Sequence, residues 1–410
     1  MSDGSETVLY NGRIYTMDSH RPRAQAIALD GRRIRAVGTD EEVLPLLSSS
    51  GCRIDLNGRT VLPGFIDSHV HFVLFSLSLQ RVDLSGARSK GEALQRIKTK
   101  AEDTPPGEWI LGGGWDHNVW VDGRCLPSRH DLDTVAPRHP VALDSKDLHS
   151  LWVNSLALQR AGITADTLAP PGGEILREAR DRTPSGILRE TARQLVHQVE
   201  DAPSPTALRT AVLTGLRHAH RVGVTGFHNC EDEQVFVVFQ ELAEKGELTA
   251  RVYAHLTASN LDAAIRTGLR TGFGNEYLRV GGLKVFADGA LGSRSAYMLE
   301  PYTGEPQNRG ILVTGHDELQ DMVCRAGAAG ISSAIHAIGD AANRLALDVL
   351  QAARRQEPDR RLRHRIEHVQ LIHPADIPRL AQLEVIASMQ PQHATADIEL
   401  VETFWRGERI

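Results

Sequence analysis

With 410 residues, 41% hydrophobic and 24% charged, the chain has the composition of a globular protein able to bury one large core or several smaller ones. Its formal charge of −6 argues against a general nucleic-acid binder. The four cysteines lack C-x-x-C spacing, the N-terminus lacks a basic-then-apolar leader, and no apolar run is long enough to span a bilayer. The composition therefore predicts a cytoplasmic protein with reduced thiols, no membrane and no nucleic-acid partner.

In chain order, residues 6–60 predict short strands interrupted by Asn11-Gly12, Asp30-Gly31 and Asn57-Gly58, dipeptides that supply the positive φ angles of tight hairpins. Residues 1–60 thus predict a small antiparallel sheet, the N-terminal part of a small β-sandwich. From Val61 the pattern alternates strand and helix. Strands are expected at 61–68, 222–229, 250–256, 280–287, 331–337, 363–369 and 384–390, with helical stretches such as LQDMVCRAGAAG and AANRLALDVLQAARRQ between them. Such alternation predicts an α/β fold, a TIM-like (β/α) barrel over 61–410. An insertion over about 76–205 is too long for an ordinary connection and is expected to cap the mouth. Seven strands are legible where a closed barrel has eight, so the reading is a barrel lacking its eighth strand. Were the sequence an incomplete copy of a longer protein, residues 6–60 would lack their partner strands, and exposed apolar edges there would invite aggregation or a homodimer.

The chemistry begins in VLPGFIDSHVH, residues 61–71. On a buried strand, His69 and His71 leave from one face at the C-terminal end, where two neutral imidazoles can share a divalent ion such as zinc. A second His-x-His, His218 and His220, falls in a helical stretch where residues two apart splay. Lys284 in GGLKVFADGALGSRSA, His336 in ISSAIHAIGD and His368 in RHRIEHVQ each fall on a different expected strand. An ammonium repels cations, so a lysine among metal ligands makes sense only as a carbamate formed with CO2 by the neutral amine. Trp115 and Asp116 of GGGWD are candidates for a substrate pocket, against the competing role of aromatic residues in ordinary packing. Asp288 shares Lys284's strand face if the strand continues, or else pairs with Arg294. His149, Gln370, Gln390 and His393 complete the substrate-binding candidates. Cys230 lies just beyond a barrel strand with no activating group evident in sequence.

The ordered segments PGFIDSHVHF, GGGWDHNVW, PGGEILRE with PSGILRE, GGLKVFADGALGSRSA, HAIGD, RIEHVQ and SMQPQHATAD resemble the amidohydrolase superfamily. The resemblance is to its YtcJ-like, or amidohydrolase family 3, branch, which includes N-substituted formamide deformylases. It implies one or two divalent ions, with His69 and His71 on the first, His336 and His368 on the second, and carbamylated Lys284 between them. It further implies hydrolysis of a non-peptide C–N bond, amide or formamide-like, in a small molecule through a metal-activated hydroxide. Relatives commonly show D-G-H where Asp147, Leu148 and His149 stand here. The superfamily's general base is an aspartate ending the eighth strand, in a G-S-D motif not found in this sequence, so no catalytic residue is assigned. The alternative reading is a truncated, catalytically impaired relative that binds metal or ligand without efficient turnover.

Overall fold

Hairpin chemistry organises the N-terminal strands only in part. The computed structural model describes residues 6–396 apart from 124, 147–149, 171–172, 201, 232, 292–293 and 360. It divides into two compact units, residues 1–68 with 219–227, and residues 69–218 with 228–410. In the first unit, Glu6–Tyr10, Ala26–Asp30, Arg33–Gly38 and Cys52–Asp55 form a four-stranded sheet, and Arg13–Tyr15, Arg23–Ala24 and Thr60–Val61 a three-stranded one. Asp30-Gly31 turns between two antiparallel partners as expected, with Gly31 at φ 53°. Asn11-Gly12 and Asn57-Gly58 instead carry the chain from one sheet to the other, the latter with φ of 48° and 73°. The purely antiparallel expectation is corrected. Glu6–Tyr10 runs parallel to Cys52–Asp55, and Arg13–Tyr15 parallel to Thr60–Val61. Turn dipeptides fix local direction but not which strand becomes a neighbour.

The main sheet has seven strands among the described residues. They are β1 (Phe65–Val70), β2 (Val224–Asn229), β3 (Arg251–Thr257), β4 (Leu278–Phe286), β5 (Ser333–Ala337), β6 (Arg365–His368) and β7 (Ile386–Ser388). They lie side by side in chain order, with β3 to β7 paired in parallel. This is a TIM-like (β/α) barrel sheet short of one strand. Helices that return the chain between strands bury their apolar stripe against it. Leu319 and Val323 of helix His316–Ala329, and Leu345, Leu347 and Val349 of helix Asp340–Gln356, share one core with Leu283, Val285, Ile335 and Ile366. Gly330, at φ 82°, ends the former helix in the left-handed cap that needs no Cβ.

The first strand begins at Phe65 rather than Val61. Pro63 lacks a donor for the ladder, and a side chain at Gly64 would meet Thr225 Oγ1 at 2.2 Å. Phe65 and Ile66 are 58% and 64% exposed, which corrects the buried-strand expectation. Among the described residues β1 is the terminal strand of its sheet.

Between β1 and β2 the chain builds a six-stranded sheet in the order Gly173–Arg177, Pro184–Glu190, Ser150–Val153, Val141–Ser145, Ile110–Trp115, Val82–Asp83. Trp115, Trp120, Trp152, Leu132 and Leu143 fill one of its cores. Among the described residues no helix is long and apolar enough to cross a membrane.

The glycine run of GGGWD has a steric reason. A Cβ on Gly112 would stand 2.2 Å from the Val82 carbonyl oxygen and 2.8 Å from its nitrogen, both backbone atoms that cannot swing away. Gly112→Ala should therefore destabilise the chain by about 1–3 kcal/mol, the usual range for overpacking, read as a lowered midpoint in thermal denaturation. An unchanged midpoint would contradict this packing.

Candidate metal centre

His69 lies within β1, but His71 does not share the strand. It is the first residue beyond it, at φ −95° and ψ 80°, and it begins helix Phe72–Ser78. The segment after β2 clamps that helix start. Phe72 N–H donates to Asn229 Oδ1 at 3.1 Å, and Val73 and Leu74 donate to the two oxygens of Glu231 at 2.7 and 2.8 Å. Cys230 N–H donates to Val70 O at 3.0 Å. Helix donors that have no intrahelical acceptor are thus satisfied by one short loop, which fixes the turn bearing His71.

The other elements bring their groups to the same place. The register sets Phe286 opposite His336 and Ala337 opposite His368, so β4, β5 and β6 deliver Lys284, His336 and His368 near their C-terminal ends. Ring centroids lie 5.8 Å apart for His69 and His71, 4.6 Å for His69 and His368, and 4.7 Å for His336 and His368, all edge-to-face. Lys284 is 3% exposed, its Nζ has no hydrogen-bond partner, and it lies 4.1 Å from the Phe286 ring centroid. Burial lowers its pKa.

Burial also pushes His336 down to about 4 and, together with the charges of His336 and His69, His368 down to about 3. His71 is lowered by burial and then by Lys284. These imidazoles are neutral near pH 7, and their neighbours decide which nitrogen holds the proton. His69 Nδ1 is 2.7 Å from Glu367 Oε2, and His336 Nε2 is 2.9 Å from Gly289 O. His368 Nδ1 is 2.7 Å from Gln390 Oε1, whose amide is oriented by Nε2 donating to Ser388 O at 3.0 Å. Carboxylate and carbonyl oxygens only accept, so the rings donate there. His69 Nε2, His368 Nε2 and His336 Nδ1 are left as lone-pair donors.

Two further observations bear on the site. His368 and Val369 sit at φ 75° and 47°, the left-handed region, which is strained for a β-branched residue and costs of order 1–3 kcal/mol each. Among the described residues no three His, Cys, Asp or Glu side chains are grouped closely enough to hold a metal ion; the rings pack against one another instead. The donor set still fits a divalent ion. It consists of neutral imidazoles with determined lone pairs beside a buried amine that has no partner.

The remaining sequence candidates divide. Gln390 reaches the site, and the His393 ring lies 5.5 Å from that of His368. Gln370 is half-buried just beyond His368. Asp288 is 1% exposed and accepts from Tyr297, Ile338 and Gly339 N–H at 2.8–3.0 Å, with His336 Nε2 3.6 Å away. Burial pushes its carboxyl up to about 6, so near neutral pH it is an anion held by backbone donors. Arg294 pairs with Glu305, not Asp288. Trp115 is 1% exposed in an aromatic core and donates Nε1–H to Leu143 O. Asp116 accepts from the Asn118 backbone and side chain and caps the turn after it. His149 lies outside the described residues.

Near the histidines lie Cys230, given no role from sequence, and two residues that the sequence reading misses, Glu367 and Arg365. Cys230 Sγ lies 3.7 Å from His69 Nδ1, and burial pushes its thiol up to about 12. Glu367 is fully buried beside Arg365. Burial alone would raise this carboxyl, but hydrogen bonds from His69 and Arg365 hold it well below the usual carboxylate range. The signal for the pair was two charges inside a strand, RHRIEHV.

A model of the amidohydrolase family matches residues 53–407. The chain belongs to the amidohydrolase family. The putative amidohydrolase YtcJ of Bacillus subtilis (strain 168) is 30% identical over 405 residues, covering 97% of this chain and 75% of that protein. An N-substituted formamide deformylase of Arthrobacter pascens is 30% identical over 427 residues, covering 100% and 77%. Among solved structures, an uncharacterized metal-dependent hydrolase from Pyrococcus furiosus superposes with a TM-score of 0.80 at 30% identity, covering 98% of this chain and 80% of that one. The YtcJ-like resemblance read from the motifs therefore extends over the chain, and hydrolysis is its reaction class.

The depressed imidazoles give a signed pH effect. Unfolded, His336 and His368 take protons near 6.5; folded, they resist to about 4 and 3. Stability is then lost as pH falls from about 6.5 toward 4. Each histidine should contribute a loss on the order of 2 kcal/mol between pH 7 and 5, partly offset by Asp288, whose raised pKa acts in the opposite direction. Urea unfolding of chelator-treated protein measures it, and a His336→Ala variant should show a shallower dependence.

Proposed function

We propose that this amidohydrolase hydrolyses a non-peptide C–N bond, of an amide or formamide-like small molecule, at a divalent-metal centre. The observation that carries the reading is the convergence of four histidine rings and a buried, partnerless lysine at one end of the sheet. His69 and His71 would hold one ion and His336 and His368 a second, zinc being the natural choice for imidazole ligands. Lys284, its amine favoured neutral by burial, would add CO2 at Nζ with loss of a proton and provide an anionic oxygen between them. When bound, the metal supplies Lewis acidity and lowers the pKa of water toward neutrality.

The chain's own groups do the rest. Gln390 holds the His368 ring, and the His393 ring packs edge-on beside it, where it would be a candidate for contact with a polar substrate. Asp288 keeps the β5 loop against the segment that follows β4 and so fixes His336. The formamide class is favoured by similarity over the whole chain to a protein named for that activity.

Metal analysis of the purified chain should find a divalent ion, and His69→Ala/His71→Ala should lose at least one equivalent. An intact metal content in that double variant would remove the assignment. N-substituted formamides should be turned over by the wild type, and activity or second-metal occupancy should depend on bicarbonate and vanish in Lys284→Ala. Indifference to bicarbonate would demote the carbamate.

A further inference from the structure

Glu367 and Arg365 form an ion pair inside the barrel, and neither is accounted for by ligand or substrate roles. The Glu367 side chain is fully buried, with Arg365 Nη2 at 3.0 Å from Oε2 and Nε at 2.5 Å from Oε1. The same guanidinium donates to Ser388 Oγ of β7 at 2.5 Å and to His228 Nδ1 of β2 at 2.6 Å. A planar fork held on three sides cannot swing, so the carboxylate it grips cannot swing either. That carboxylate presents Oε2 to His69 Nδ1 at 2.7 Å.

Stability alone gives no reason for this arrangement. Taking two charges out of water costs several kcal/mol per ion, and well-packed apolar residues of similar size are often as stabilising or better. What the pair supplies that leucines could not is an acceptor-only group on one nitrogen of one imidazole. The other histidines are held by uncharged oxygens, Gly289 O for His336 and Gln390 Oε1 for His368. Of these three rings His69 alone has a carboxylate at hydrogen-bond distance, 2.7 Å against the 3.6 Å that separates His336 Nε2 from Asp288, and that contact fixes its tautomer and raises the basicity of the opposite nitrogen.

We infer that Glu367, held in place by Arg365, is a positioning residue that keeps His69 protonated on Nδ1 and leaves Nε2 as its metal-binding lone pair. The inference rests on the metal-centre reading above, but the tautomer itself can be observed without metal. The test compares the full-length wild type, Glu367→Gln and the apolar double variant Arg365→Met/Glu367→Leu. Histidine-selective 15N NMR of chelator-treated protein reads the His69 tautomer, and competition with a chromophoric chelator reads zinc affinity.

The double variant removes both charges together and is expected to fold. Its His69 should pass to a mixture of tautomers, and zinc should bind about 10–100-fold more weakly, the usual effect of losing an outer-shell partner. Glu367→Gln can still turn its amide oxygen to the ring, so it should keep the Nδ1–H tautomer with a smaller loss of affinity. A His69 that stays wholly Nδ1-protonated in the double variant overturns the inference, as does zinc affinity within about twofold of wild type. Should the wild type bind no zinc, the metal-centre reading fails, and the His69 tautomer alone decides for or against Glu367 as its positioning group.

Discussion

A neutral imidazole has one donor and one acceptor, and whatever satisfies the first determines where the second must be. Every distinctive feature around the histidines follows from that constraint. Each of three rings has an oxygen that cannot donate: a carboxylate for His69, a main-chain carbonyl for His336, a side-chain amide for His368. Burial depresses protonation of His336 and His368, so those two rings remain neutral and keep their lone pairs. The sheet contributes strands whose ends bring these acceptors and rings together.

The expense of this arrangement is visible elsewhere. His368 and Val369 leave β6 in a conformation that non-glycine residues avoid. The surrounding contacts over-determine it: Val369 N–H donates to Ala337 O at 3.2 Å, and Leu371 N–H to Ile338 O at 2.9 Å. Asp288, ionised and buried, joins the same region from the β4 side. Polar groups inside a protein are tolerated where each finds a partner, and this end of the sheet is dense with such partners. Lys284 Nζ is among the buried polar atoms there that have no hydrogen-bond partner.

Much of this was legible in sequence because strands and helices leave periodic traces. All seven sheet strands fall within a few residues of their expected places, and the histidines and Lys284 sit on β1, β4, β5 and β6 or just beyond. Failures arose where a residue's surroundings come from distant chain. Trp115 belongs to the core of a six-stranded sheet whose strands span residues 82 to 190, so local pattern could not separate packing from pocket. Asp288 and Arg294 are close in sequence, yet one finds backbone amides near residue 338 and the other finds Glu305. Pro63 and Gly64 shift β1 because Thr225, far along the chain, packs where a Cβ would be. Glu367 reads as a polar interruption of a strand until His69, 298 residues away, is set beside it.

The loop Asn229–Glu231 supplies no imidazole, yet its amide and carboxylate oxygens anchor the backbone on which His71 stands. Evolution or engineering could therefore retune the ion's surroundings from a neighbouring strand, by lengthening or recharging three residues, while the donor set stays untouched. Divergence of reactivity among close homologues would then leave its trace in that tripeptide before it reached any histidine.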